Sequence, residues 1–212
     1  MKLNLQKTKL MVFNTSTTKD FEPNFEVDGT VIQVVEEAKL LGLHLTSDLK
    51  WQKHINMTTK QAYSRIWILK RLVNLGASRA ILIDTYTKQV RTVLEYGVPI
   101  LHSSLTLQQK SQLERVQKTN MKVILGRDYQ TASTARKILK LDTLEKRRID
   151  ICLKFGLKAV KNINHMKWFK PNQNGNLNLR RKLPKYKTPF CRTKRFYNST
   201  IPYLTRILNE RE

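Results

Sequence analysis

The sequence predicts an α+β protein that is mostly α: short antiparallel strands, then a helical bundle, then an irregular basic tail. Three observations carry this. Asp28-Gly29 separates two short apolar runs, and such a pair favours the tight turn of a hairpin. From Trp51 onward apolar residues recur every three or four positions, the period of a half-buried helix. Charge also climbs along the chain, from net −1 over residues 1–50 to +6 over 51–100, +6 over 101–150 and +13 over 151–212. The segments therefore divide as 1–50, 51–163 and 164–212.

Residues 9–13 are apolar enough for a first strand. Residues 24–27 and 31–35, joined by Asp28-Gly29, predict the hairpin. Residues 39–46, with Leu40, Leu41, Leu43 and Leu45, predict one further strand. Ser47-Asp48 ends it and offers N-cap chemistry to the adjoining helical segment. Ile55, Thr59, Ala62, Ile66, Leu69 and Val73 then lie on one face of a helix of about five turns. Gly76 marks its end. Ile83, Tyr86, Val90 and Val93 make a second stripe, broken at Gly97-Val98-Pro99. Leu113, Val116, Val123 and Ile124 line a third helix, ended by Gly126, and Leu144, Ile151, Phe155 and Ala159 a fourth. After about Asn162 the pattern fades. Pro171, Gly175, Pro184 and Pro189, among Asn, Lys and Arg, have the composition of a linker or tail that orders on a partner. The apolar run 201–208 is expected to pack back as a terminal helix.

The formal charge of +24, with a pI near 10.3, makes polyanions the natural partners. Nucleic acid is preferred over an anionic membrane, because no segment joins a strongly basic face to bulky apolar anchors. No apolar run approaches the ~20 residues that span a bilayer, and no signal-peptide pattern opens the chain. Two cysteines, Cys152 and Cys191, predict no disulfide framework. An intracellular protein is the expectation. No CxxC or HxxxH spacing joins Cys152, His165 and Cys191, so no metal site is expected, and neither cysteine has a recognisable base.

Several segments carry a resemblance. Leu3-Asn4-x-x-Lys7-Thr8-Lys9, followed by a short strand, resembles the region just downstream of the catalytic motif in LINE-type (jockey-like) non-LTR retrotransposon reverse transcriptases. Residues 39–55, Lys-Leu-Leu-Gly-Leu-His-Leu-x-x-Asp-Leu-Lys-Trp-x-x-His-Ile, resemble their primer-grip strand and the entry to the thumb. Leu94-Glu95-Tyr96-Gly97 and Leu113-Glu114-Arg115-Val116-Gln117-Lys118 resemble thumb and post-thumb signatures. Leu144-Glu145-Lys146-Arg147-Arg148 and Arg195-Phe196-Tyr197-Asn198-Ser199-x-Ile201-Pro202-Tyr203-Leu204 resemble the end of such open reading frames. The matches are collinear over nearly the whole chain. Asn120 departs from the pattern, where an alanine is usual.

The resemblance implies the last palm strands, the thumb helices and a C-terminal extension of a right-hand polymerase. It assigns primer holding to Leu41, Gly42, Leu43 and His44, and assistance to pyrophosphate departure to Lys7. It also implies that the chain lacks the catalytic centre. Polymerases clamp two metal ions between neighbouring carboxylates, which this family carries as an Asp-Asp hairpin. Here no Asp-Asp pair occurs, and Glu36-Glu37 is the only adjacent acidic pair, expected to be a solvated turn between strands. No catalytic residue is therefore assigned, and Mg2+ is expected only for the full polymerase.

Charge supplies the remaining candidates. Lys60, Arg65, Lys70 and Arg71 lie off the first helical stripe and are candidate phosphate contacts, where a solvated helix face is the plainer reading. Arg180, Arg181, Lys182 and Lys185, with Tyr186 among them, suit single-stranded nucleic acid or nuclear import, against a plain basic tail. Trp51, Trp67, Tyr86 and Tyr96 sit in or near helical stripes and are expected in the core. Three functions fit: a non-catalytic reverse-transcriptase fragment that binds template–primer, a stand-alone nucleic-acid-binding module, or an expressed remnant with no selected role. In the last case Leu41, Leu43 and Leu45 would line an uncovered sheet edge.

Overall fold

The computed structural model describes residues 4–13, 24–172 and 184–210. Among the described residues four short strands precede ten α-helices: β1 (Glu26–Val27), β2 (Thr30–Val31), β3 (Glu37–Leu40), β4 (Leu43–Thr46), α1 (Gln52–Ser64), α2 (Ile66–Asn74), α3 (Arg79–Thr85), α4 (Thr92–Glu95), α5 (Val98–Leu101), α6 (Leu107–Leu125), α7 (Ala132–Leu139), α8 (Leu144–Lys161), α9 (Lys194–Tyr197) and α10 (Thr200–Asn209). The α+β, mostly α expectation is met. Two compact units form, Met1–Thr58 and Thr59–Glu212, and each is described by itself. This division by contacts differs from the compositional one at 50 and 163.

In the first unit the Asp28-Gly29 hairpin forms as expected. β1 pairs with β2, and both turn residues have positive φ, 49° and 74°. The expected strand over 9–13 is reduced to one bridge, Leu10 to Val34. The expected single strand over 39–46 is corrected to a second hairpin. β3 pairs with β4 in the register Leu40 to Leu43 and Lys39 to His44, and Leu41-Gly42 is the turn, with φ of 46° and 84°. Leucine is disfavoured there by its Cβ, so the turn is hidden in an apolar run. Glu37 opens β3 rather than lying between strands, and its carboxylate pairs with Lys53 at 3.2 Å. Asp48 accepts from Thr46 Oγ1 and from the Lys50 N–H, so it builds a local turn four residues before α1.

In the second unit the first long stripe is interrupted at Arg65, where the helix divides into α1 and α2. Thr59, Ala62, Ile66 and Leu69 stay buried across the break, whereas Val73 is exposed. Ser78 caps α3. A π-helical stretch over Tyr86–Arg91 then carries the chain into α4, and such insertions often mark functional helices. Gly97, at φ 70°, ends it, and Val98 goes straight into α5. Thr106 and Gln109 form a reciprocal capping box for α6. α7 is a helix that the apolar period does not predict.

The tail is more ordered than its composition suggests. Val98, Cys152, Ala159, Phe169, Leu204 and Leu208 form one buried cluster. α10 packs on α8 as expected, so closely that a Cβ on Gly156 would lie 3.3 Å from Leu208. Asn209 brackets Tyr186, with its side chain accepting the Tyr186 N–H at 3.0 Å and donating to its carbonyl at 2.9 Å.

Candidate nucleic-acid interface

The first-unit candidates lie at one hairpin and one helical turn. Leu41 sits at the tip of the β3–β4 turn and is 83% exposed, while Leu43 is buried. The edge exposure expected for Leu41, Leu43 and Leu45 thus holds for Leu41 only. The His44 N–H donates to His54 Nδ1 at 3.4 Å, and Thr58 Oγ1 lies 3.3 Å from His54 Nε2. These contacts tie the hairpin to the first turns of α1. Burial, then the nearby His44, holds His54 below the usual histidine value, which suits a ring nitrogen accepting a backbone N–H. Lys7 is exposed in a short helical turn, Leu5–Lys7, and its N–H donates to the Asn4 side chain.

The second-unit candidates occupy the solvent side of α1 and α2. Lys60, Lys70 and Arg71 are exposed. Arg65, at the break, donates from Nη1 to the Gln89 carbonyl and is partly withdrawn. Two aromatics join them. Trp67 is 59% exposed and Tyr63 42%, so the expectation of a core Trp67 is corrected, as it is for Tyr96 at 52%. Tyr86 does lie in the core, fully buried. The reason is geometric. Lys60, Tyr63, Trp67 and Lys70 each come one position after a buried residue, Thr59, Ala62, Ile66 and Leu69, and one residue rotates a helix by about 100°. The buried stripe therefore generates an exposed one beside it, carrying both basic and aromatic side chains.

Arg180, Arg181 and Lys182 lie outside the described residues. Lys185 is exposed, with Nζ 5.8 Å from the centre of the Tyr186 ring. Tyr186 itself packs edge-on against Phe169 at 6.0 Å, so its ring is taken up by the core side.

Side chains from separate motif segments meet in the second unit. Glu95 takes a two-pronged ion pair from Arg147, one arm at 3.0 Å. Glu114 accepts the N–H of Glu145 at 3.0 Å, at the start of α8. Gln117 accepts from the Tyr86 hydroxyl at 2.8 Å and donates to the Asp142 carbonyl at 2.9 Å. Asn120, the residue departing from the pattern, is fully buried. Its amide donates to the Val116 carbonyl, and its Oδ1 has no partner.

Among the described residues no three His, Cys, Asp or Glu side chains gather as a metal site. Cys152 is buried, which pushes its thiol up to about 12, a poor nucleophile. No described helix is long and apolar enough to cross a membrane.

No family model matches the chain. No solved structure matches it significantly. Among curated proteins it is similar to a probable RNA-directed DNA polymerase from transposon BS of Drosophila melanogaster, 30% identical over 106 residues, 47% of this chain and 11% of that protein. The chain thus covers a small part of the length of this relative, and the similarity agrees with the retrotransposon reverse-transcriptase resemblance of its motifs.

Proposed function

We propose that this chain is a nucleic-acid-gripping segment of a retrotransposon reverse transcriptase, which holds template–primer and performs no chemical step itself. The observation that carries the proposal is the solvent face of α1 and α2. Lys60, Lys70 and Arg71 there are interleaved with Tyr63 and Trp67, and all five are exposed. Cations fix a phosphate backbone without reading sequence, and aromatic faces stack on bases. A polymerase needs this combination, because its grip must move along any sequence.

By the same reading the β3–β4 tip, Leu41 to His44, holds the primer. An exposed leucine at φ 46° is strained, and such strain concentrates at working sites. Lys7 would assist pyrophosphate departure in the full polymerase. Mg2+ also belongs to that polymerase, and Glu37, of the adjacent acidic pair, is tied to Lys53.

The test is fluorescence anisotropy of the purified chain on RNA–DNA hybrid, duplex DNA and single strands. Binding to all of them, weakened by added salt, is expected. Trp67→Ala should weaken single-strand binding by about 1–3 kcal/mol, the usual value of one stacked base. Primer extension by the chain alone would refute the non-catalytic part.

A further inference from the structure

The second unit holds a charged feature that the α1–α2 face does not use. A cleft of about 450 Å3 opens where α6, α7 and the start of α8 meet, lined by Arg115, Lys118, Arg136, Glu114, Thr143 and Glu145. Met121 and Ala132 also line it. Its size lies within the range of small-ligand sites, roughly 300–1,000 Å3.

Its charges do not cancel. Among the described residues no ion pair reaches Arg115, Lys118 or Arg136. Both carboxylates, in contrast, are engaged. Glu145 lies 3.1 Å from Lys110 Nζ, and Glu114 accepts the Glu145 N–H at 3.0 Å. A further cation, Arg148, is 1% exposed, and none of its three guanidinium nitrogens has a hydrogen-bond partner. Its charge acts on both Glu114 and Glu145. The acidic wall is therefore answered from within the protein by Lys110 and Arg148. Three cations remain for a ligand, with Ala132 beside them.

We propose that this cleft binds the phosphate end of a nucleotide-class ligand, with Arg115, Lys118 and Arg136 on the phosphate. The ligand is a free nucleoside triphosphate or the 5′-phosphorylated end of a strand; both present the same chemistry. The site is separate from the α1–α2 grip and does not depend on it.

Isothermal titration of the whole chain at about 0.15 M salt tests this with adenosine triphosphate, inorganic tripolyphosphate, adenosine, and a short oligonucleotide with or without a 5′-phosphate. Arg115→Ala with Arg136→Ala should weaken the phosphorylated probes at least about tenfold, since a charge-assisted hydrogen bond carries that much. The charge-matched pair Lys154→Ala with Lys158→Ala on α8 should leave them within about twofold. Lys118→Glu, a reversal at an exposed position, should weaken them too, and it carries the test if the arginine pair fails to fold. Tighter triphosphate assigns the free nucleotide; a gain from the 5′-phosphate assigns the strand end. Equal weakening by both double variants, adenosine binding as tightly as its triphosphate, or no binding of any phosphorylated probe would overturn the site.

Discussion

Arg148 is the least satisfied buried side chain among the described residues. All three of its guanidinium nitrogens are unpartnered, and burial is the main cause that lowers its pKa. Glu114 and Glu145, whose fields offset part of this, have hydrogen bonds of their own. Burying a guanidinium without hydrogen bonds is costly, and this cost weighs against the field it offers Glu114 and Glu145. Arg148→Met should therefore raise the urea midpoint or leave it unchanged, and a loss above about 2 kcal/mol would show hidden pairing. His102 gives a pH test. Burial, then Arg148 and Lys110, pushes it down to about 4 from 6.5, with its ring edge-on to Tyr203 at 5.5 Å. The unfolded chain thus takes up the proton first as pH falls. The stability from neutral His102 is complete above 6.5 and is lost as pH falls toward 4. Denaturant midpoints should fall across that window, by about 1–3 kcal/mol in all, and His102→Gln should flatten the fall. His54 is shifted the same way, so some slope will remain.

At the scale of elements, two segments show what the sequence does and does not reveal. Hydrophobic period locates the faces of α1, α2, α6 and α8, because burial on one side repeats with the helix. It does not locate the edge of a face. Trp67 is one residue past Ile66, and that single step separates 5% exposure from 59%. The β3–β4 hairpin stays hidden because Leu41 occupies a turn position that usually calls for Asn, Asp or Gly. Leu41→Asn should then stabilise the hairpin by about 0.5–1 kcal/mol while weakening primer-end binding, an opposition that a mere loop would not show. The tail misleads in the other direction. Its prolines and cations suggest irregular chain over 164–200, yet Phe169 is buried in the cluster with Cys152 and Tyr186 packs edge-on against Phe169. The terminal helix around Leu204, fully buried, is legible from its apolar run. Leu204→Ala should cost about 2–5 kcal/mol in a denaturant melt; a change under about 1 kcal/mol would mean that α10 is not part of the core.

For the molecule as a whole, the +24 charge says that a polyanion is wanted but not where it binds. The folded second unit pairs some of its cations internally. Arg147 is held by Glu95, Lys110 by Glu145 and Arg79 by Asp128. Lys60, Lys70 and Arg71 form no ion pair among the described residues, and they stand beside exposed aromatics. If charge alone mattered, any lysine could substitute for these three. A grip on α1 and α2 requires that none can. The direct measurement is the slope of log binding constant against log salt on an RNA–DNA hybrid. It should be made for the native chain, for Lys60→Ala/Lys70→Ala/Arg71→Ala, and for a charge-matched triple of Lys154→Ala/Lys158→Ala/Lys161→Ala on α8. The slope should shrink by about 2–3 in the first triple and stay close to native in the second, because each lost phosphate contact removes about 0.7–0.9. Equal slopes in the two triples would contradict a grip on α1 and α2.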